Sequence, residues 1–217
     1  MRPHFFRLKS KVLMCIFFFG LSQWTYAQFG AGFTMNTDLY QRYTNPKNNL
    51  NEGRSSGSTL LNFSIGPKLW LGKNNFSFSV ESQIGMGFTG YDTDGYKGMG
   101  MINIPVIGSF NFNGASGLCK DNKTGFSVGG GIQYNKTEAF GLRDKYKSRG
   151  LTRDFFPTYI IQAGAGFGFG PSGVAFLGFV RYGFHPDTEA SSLNIGIQYD
   201  INYLAFRKNF KNPNSAL

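Results

Sequence analysis

Cysteine is almost missing from this chain. Of its two cysteines, Cys15 sits in an N-terminal leader and only Cys119 lies beyond it, so the remainder has neither an internal disulfide nor a cysteine-rich metal site. Histidine is as scarce, with His185 alone outside the leader. Charged residues make up only 16%. Past the leader no stretch approaches the roughly 18 consecutive apolar residues of a membrane-spanning helix. A membrane crossing by this chain therefore requires a closed barrel, the other architecture that pairs every backbone polar group.

The leader has a basic start (Arg2, Arg7, Lys9, Lys11), an apolar run from Val12 to Leu21, and small residues Thr25 and Ala27 before a cut. This is the pattern of a secretory signal peptide over residues 1–27, cleaved between Ala27 and Gln28. The apolar run of roughly ten residues reaches about half of a ~30 Å hydrocarbon core, too short for an anchor. Cys15 precedes most of that run, which does not suit a lipoprotein cut. Loss of the leader removes four basic residues and no acidic one, lowering the net charge from +10 to +6.

What the sequence has in quantity is Phe (24), Gly (30) and Tyr (11), with only 41% hydrophobic residues in all. These residues alternate. Phe76, Phe78, Val80, Ile84, Met86 and Phe88 share one parity, with Ser82 the exception, against Ser77, Ser79, Glu81, Gln83, Gly85 and Gly87. A period of two is that of a strand with one apolar face. The pattern returns over residues 61–71, 102–112, 126–135, 159–169 and 193–203, and more weakly over 29–36 and 174–184, where a mixed face carries Arg181. In 61–71, Trp70 breaks the rule. Eight strands result, an even number that places both chain ends on one side of a barrel.

The links sort by length. Residues 37–60, 89–100, 136–157 and 185–192 are expected on the outer surface. Asn74-Asn75, residues 113–125 and Gly170 to Gly173 are expected on the periplasmic side, where 113–125 is longer than such turns usually are. A two-residue hairpin at Asn74-Asn75, with both residues accepting positive φ, pairs Lys73 with Phe76 and sets Lys68 opposite Glu81. Both charges lie on the polar parity, which predicts an ion pair inside a narrow barrel.

Alternation alone does not say which face is inside. The polar parity is made of Gly, Ser, Asn and Gln, too small for a water-facing surface and suited to an eight-strand lumen just wide enough for side chains. Aromatics recur near strand ends (Trp70, Phe76, Phe88, Tyr91, Phe112, Tyr134, Tyr159, Phe169, Phe184, Tyr203, Phe206), as in the girdles of membrane barrels. The expected fold is all-β: an eight-stranded antiparallel up-and-down transmembrane β-barrel over residues 28–206, with a polar tail over 207–217. The alternative is a secreted lipocalin-like barrel with an apolar cavity, whose exterior requires more charge than this chain has.

The sequence resembles the outer-membrane β-barrel domain family of Bacteroidetes-type bacteria, a porin-like and PorT-like group related in architecture to OmpA and OmpX. The resemblance rests on Tyr26-Ala27 followed by Gln28, on Ile102-Asn103-Ile104-Pro105-Val106 leading to Phe110-Asn111-Phe112, and on the closing stretch Asn194 to Phe206. It implies location in the cell outer membrane and contact with the barrel-assembly machinery, outer-membrane lipid and lipopolysaccharide. In that group the chain usually ends on an aromatic residue; here eleven residues follow Phe206.

His185, beside Pro186, Asp187, Glu189 and Ser191, has the residue types of a hydrolase site but no spacing that fixes one, and it reads as a turn residue. Asp92, Asp94 and Gly95 lack the downstream Glu of a calcium loop. The glycines of 164–170 lack the strand-to-helix context and the Lys-Ser or Lys-Thr ending of a nucleotide loop. No cofactor or metal is expected. Basic residues over 136–154, with Arg143, Lys145, Lys147 and Arg149 at their centre, suit lipopolysaccharide phosphates; a solvated surface loop is the simpler reading. Positive charge forms no stripe, so nucleic-acid binding is not expected. The leading expectation is a non-enzymatic structural or surface-interaction barrel with at most a narrow pore. A barrel component of a secretion or assembly complex and a rim-located lipid-modifying or proteolytic enzyme are the alternatives.

Overall fold

In the computed structural model, the described residues are 27–47, 56–91, 98–142, 144 and 153–211. The signal-peptide stretch before Ala27 and the Asp92, Asp94, Gly95 run lie outside them. The strands are β1 (Gln28–Thr44), β2 (Ser56–Lys73), β3 (Phe76–Ser82), β4 (Ile84–Tyr91), β5 (Gly98–Asn113), β6 (Asn122–Leu142), β7 (Phe156–Phe169), β8 (Val174–Phe184) and β9 (Ser191–Asn202). A helix, α1 (Tyr203–Lys211), follows.

β3 and β4 are halves of one strand. Lys68↔Glu81 before Gln83 and Ile65↔Ile84 after it belong to the same register against β2. Each strand pairs antiparallel with its sequence neighbour, and β1 pairs with both β2 and β9. The result is an eight-stranded up-and-down barrel without a free edge. The start of β1, the end of β9 and the turn at Asn74-Asn75 lie at one end, here the termini end; the opposite end is the loop end.

The parity set by the sequence decides the faces. Ile84 and Ile161 are 59% exposed, and Phe33, Phe63, Phe110 and Ile195 also point outward, whereas Lys68, Glu81, Arg181 and Asp200 are at most 2% exposed. This is the reverse of a water-soluble barrel and the distribution of a membrane barrel. Outside, aromatic rings meet in two bands. Phe76, Phe110, Phe112 and Phe126 stack toward the termini end, with Phe112 and Phe126 4.4 Å apart; Tyr159, Tyr182 and Phe184 group toward the loop end. Such ring pairs add about 0.5–1.5 kcal/mol each beyond the area they bury.

Four expectations need correction. The strands run farther toward the loop end than 37–60, 89–100 and 136–157 allowed, because bulges reverse the parity there. The β1–β9 register shifts between Asp38 and Tyr40, and the β5–β6 register between Met99 and Met101. Past these points Gln41 and Tyr43 face inward in β1, and Thr137 and Glu138 are both buried in β6, so a search for strict alternation stops early. Trp70 belongs to no girdle: it is fully buried inside. The closing strand ends at Asn202, and Tyr203 and Phe206 belong to α1 instead of a strand. Finally, the link expected over 113–125 is shorter: β5 ends at Asn113, β6 begins at Asn122, and Gly114–Ser116 between them form a 3-10 turn with buried residues.

Candidate functional site in the barrel lumen

Lys68 Nζ lies 2.7 Å from Glu81 Oε2 and 2.8 Å from Asp200 Oδ2. The first contact follows from the hairpin register. The second crosses β1, where Gly32 pairs with Lys68 and Thr34 pairs with Asp200. Asp200 was missed as a partner because it lies 132 residues away in sequence. The available signal was a lone acid on the inward parity of the closing strand.

Amides extend the cluster across the lumen. Gln83 Nε2 donates to Glu81 Oε1 at 2.7 Å, and Gln198 Nε2 to Asp200 Oδ1 at 2.9 Å. Asn36 Nδ2 and Ser64 Oγ both donate to Gln83 Oε1. Gln162 Nε2 donates to Gln198 Oε1 at 3.1 Å and its carbonyl receives Arg181 Nε at 2.7 Å; Arg181 Nη1 reaches Gln133 Oε1 at 3.2 Å. Arg181 also lies over the inward ring of Phe179. One continuous network thus joins β1 to β6 through the middle of the barrel. The buried Lys68 charge is tolerated because two carboxylates pair with it and are themselves hydrogen-bonded.

Toward the loop end the packing is polar but less saturated. Asp38 Oδ2 accepts from Asn62 and Asn194 at 3.1 and 2.7 Å. Asp38 Oδ1, Asn62 Oδ1, Asn194 Oδ1, Thr59 Oγ1 and Arg181 Nη2 have no partner within the protein; groups of this kind bind water in protein interiors. At the rim Glu138, held at φ 48° by its bulge, receives Arg153 Nε at 2.6 Å and Thr137 Oγ1 at 2.7 Å.

The termini end is closed by a strap, residues 113–121. Ala115 and Ser116 are fully buried, and Leu118 and Cys119 nearly so. Ser77 Oγ donates to Ser116 O at 2.6 Å, Ser116 Oγ to Lys73 O at 3.1 Å, Asn202 Nδ2 to Gly117 O at 2.8 Å, and the Lys120 amide to Asn74 Oδ1 at 2.7 Å. Gly117, at φ 66°, lies directly on Trp70: a β-carbon there falls 2.6 Å from Trp70 Nε1. Trp70 faces inward because it is the floor on which this strap rests.

The other sequence candidates are placed as follows. Arg143, Lys145, Lys147 and Arg149 lie outside the described residues. Of their flanking cations, Arg153 is held by Glu138 and Lys136 lies over the Phe155 ring. His185 Nδ1 accepts from the Thr188 amide at 3.3 Å, and the His185 backbone bonds Ala190 and Glu189. It is built into the turn after β8. Among the described residues no three His, Cys, Asp or Glu side chains group as metal ligands.

No family model and no curated protein matches the sequence. Solved structures do. Neisserial surface protein A is 13% identical, covering 80% of this chain and 99% of that chain, with a TM-score of 0.42. The N-terminal β-barrel domain of Pseudomonas aeruginosa OprF is 8% identical over 80% and 100%, TM-score 0.42. The Pseudomonas aeruginosa outer membrane protein OprG is 11% identical over 80% and 96%, TM-score 0.42. These neighbours are small outer-membrane β-barrel proteins. The architecture itself rests on this chain's own ring of paired strands.

Proposed function

We propose that this chain is a non-enzymatic barrel of the cell outer membrane with a structural or surface-interaction role, exported by the cleaved signal and conducting no solutes. The observation that carries this is the lumen. A side-chain network crosses its middle and a strap covers its termini end, while the exterior is a belt of Phe, Ile and Val suited to acyl chains. The termini end then faces the periplasm and the loop end the outside. Eight strands leave space only for side chains, and here that space is used.

On this reading Arg143, Lys145, Lys147 and Arg149 stand on the cell surface and meet lipopolysaccharide phosphates, a pairing supported by charge and chemistry. Insertion by the barrel-assembly machinery belongs to the same reading. Membership of the Bacteroidetes-type, PorT-like group is the finer proposal, supported by the sequence patterns around Ala27, Ile102 and Asn194; a secretion-complex partner retained after mild detergent extraction is its test. For the main proposal, protein refolded in detergent is expected to show strand-dominated circular dichroism and heat-modifiable gel migration, and to give no steady conductance in planar bilayers. A steady open channel overturns it.

A further inference from the structure

We infer that α1 is an interfacial helix that lies on the periplasmic leaflet and binds anionic phospholipid headgroups. The inference rests on the membrane reading above. Asn202 fixes the helix in place: its Oδ1 accepts from the Ala205 amide, an N-cap contact, while its Nδ2 holds Gly117 of the strap and its backbone amide donates to Gly173 O at 2.8 Å. Ala205 packs on the turn after β7, so closely that a β-carbon at Gly173 falls 2.8 Å from Ala205 Cβ.

The 3.6-residue period puts Tyr203, Leu204 and Arg207 on the side away from Ala205. Tyr203 is 51% and Leu204 43% exposed. Beside them the exterior of β1 presents Phe29 and Phe33, the latter paired with Ile201. The apolar belt of the barrel therefore continues onto the helix. The helix sequence, YLAFRKNFK, contains three basic residues and no acidic one. An aromatic and aliphatic face with basic residues is the composition of helices lying in a headgroup layer, where anionic lipid adds electrostatic attraction. The termini-end location assigns the inner leaflet, whose lipid phosphates complement the charge.

The test uses the chain from Gln28 in phosphatidylglycerol-containing and phosphatidylcholine vesicles, with Cys119→Ala and a nitroxide on cysteine at Leu204 or, as control, at Ile195. The Leu204 label is expected to be reached by oxygen more than by a water-soluble nickel chelate when phosphatidylglycerol is present. In phosphatidylcholine, or with Arg207→Glu, its population at the surface falls roughly fivefold for each charge interaction lost. A Leu204 label in water while the Ile195 label is in lipid overturns the helix inference alone. Equal depth in both lipids overturns the anionic-headgroup assignment. Both labels in water overturn the membrane reading itself. The comparison of the two lipids needs no charge variant, so misfolding of one leaves the test intact.

Discussion

Lys68→Met removes the one cation between Glu81 and Asp200 at nearly constant volume. At 2.7 and 2.8 Å and an effective dielectric of about 20, each contact is worth about 6 kcal/mol of gross attraction. Desolvation offsets much of this, several kcal/mol per ion. Without the lysine, two carboxylates face each other in a site with no access to bulk water. Loss of one member of a buried pair costs about 3–5 kcal/mol, and this loss belongs at the upper end. Asp200→Asn, in contrast, leaves a balanced Lys68–Glu81 pair and costs about 1.5–3 kcal/mol, the range of a hydrogen bond to a charged group. The triple variant Lys68→Met, Glu81→Gln, Asp200→Asn is expected to recover most of the deficit, since uncharged replacement of whole ionic clusters is often tolerated. Urea unfolding of refolded protein, followed by heat-modifiable migration at unchanged m-value, measures all three. The reasoning is refuted if Lys68→Met costs less than Asp200→Asn, or if the triple variant is as unstable as the lysine variant.

The strap and the rim give three more expected outcomes. Gly117→Val places a branched side chain at φ 66° against Trp70, and should cost more than about 2 kcal/mol in the same unfolding assay through strain and displacement of the strap; wild-type stability contradicts the strap's position. In the chain from Gln28, Trp70 is the only tryptophan, so fluorescence should resist aqueous iodide until urea unfolds the barrel, and ready quenching in the folded state contradicts its burial. Glu138→Gln removes the charge that Arg153 and Thr137 share at the rim and should cost about 1–3 kcal/mol, while native-state proteolysis near residues 143–152 rises; an unchanged cleavage pattern contradicts the tie.

Much of this was legible in the residues. Wherever parity runs unbroken, as from Phe76 to Glu81 or Leu193 to Tyr199, strand and face followed directly, because lipid-facing and lumen-facing environments differ in the side chains they accept. The Asn74-Asn75 turn gave a register and thereby the Lys68–Glu81 contact. Asp200 did not follow, since its approach to Lys68 depends on ring closure and no local pattern encodes that. The inward position of Trp70 does not follow from its own strand, because an inward tryptophan makes sense only when Gly117 rests on it. The outer parts of β1 and β6 were lost to bulges that transpose the inward parity by a residue. For α1 the sequence suggests only girdle and tail, because Tyr203 and Phe206 suit a membrane boundary in either conformation.

Oxygen accessibility of nitroxides placed one at a time from Leu193 to Tyr199, in the Cys119→Ala chain reconstituted in vesicles, tests the central claim most directly. An apolar belt in lipid around a filled polar lumen predicts a two-residue oscillation, high at Ile195 and Tyr199 and low at Asn194, Gly196 and Gln198. An oscillation of opposite phase, or uniform exposure to the aqueous chelate in a protein that never enters the bilayer, contradicts it.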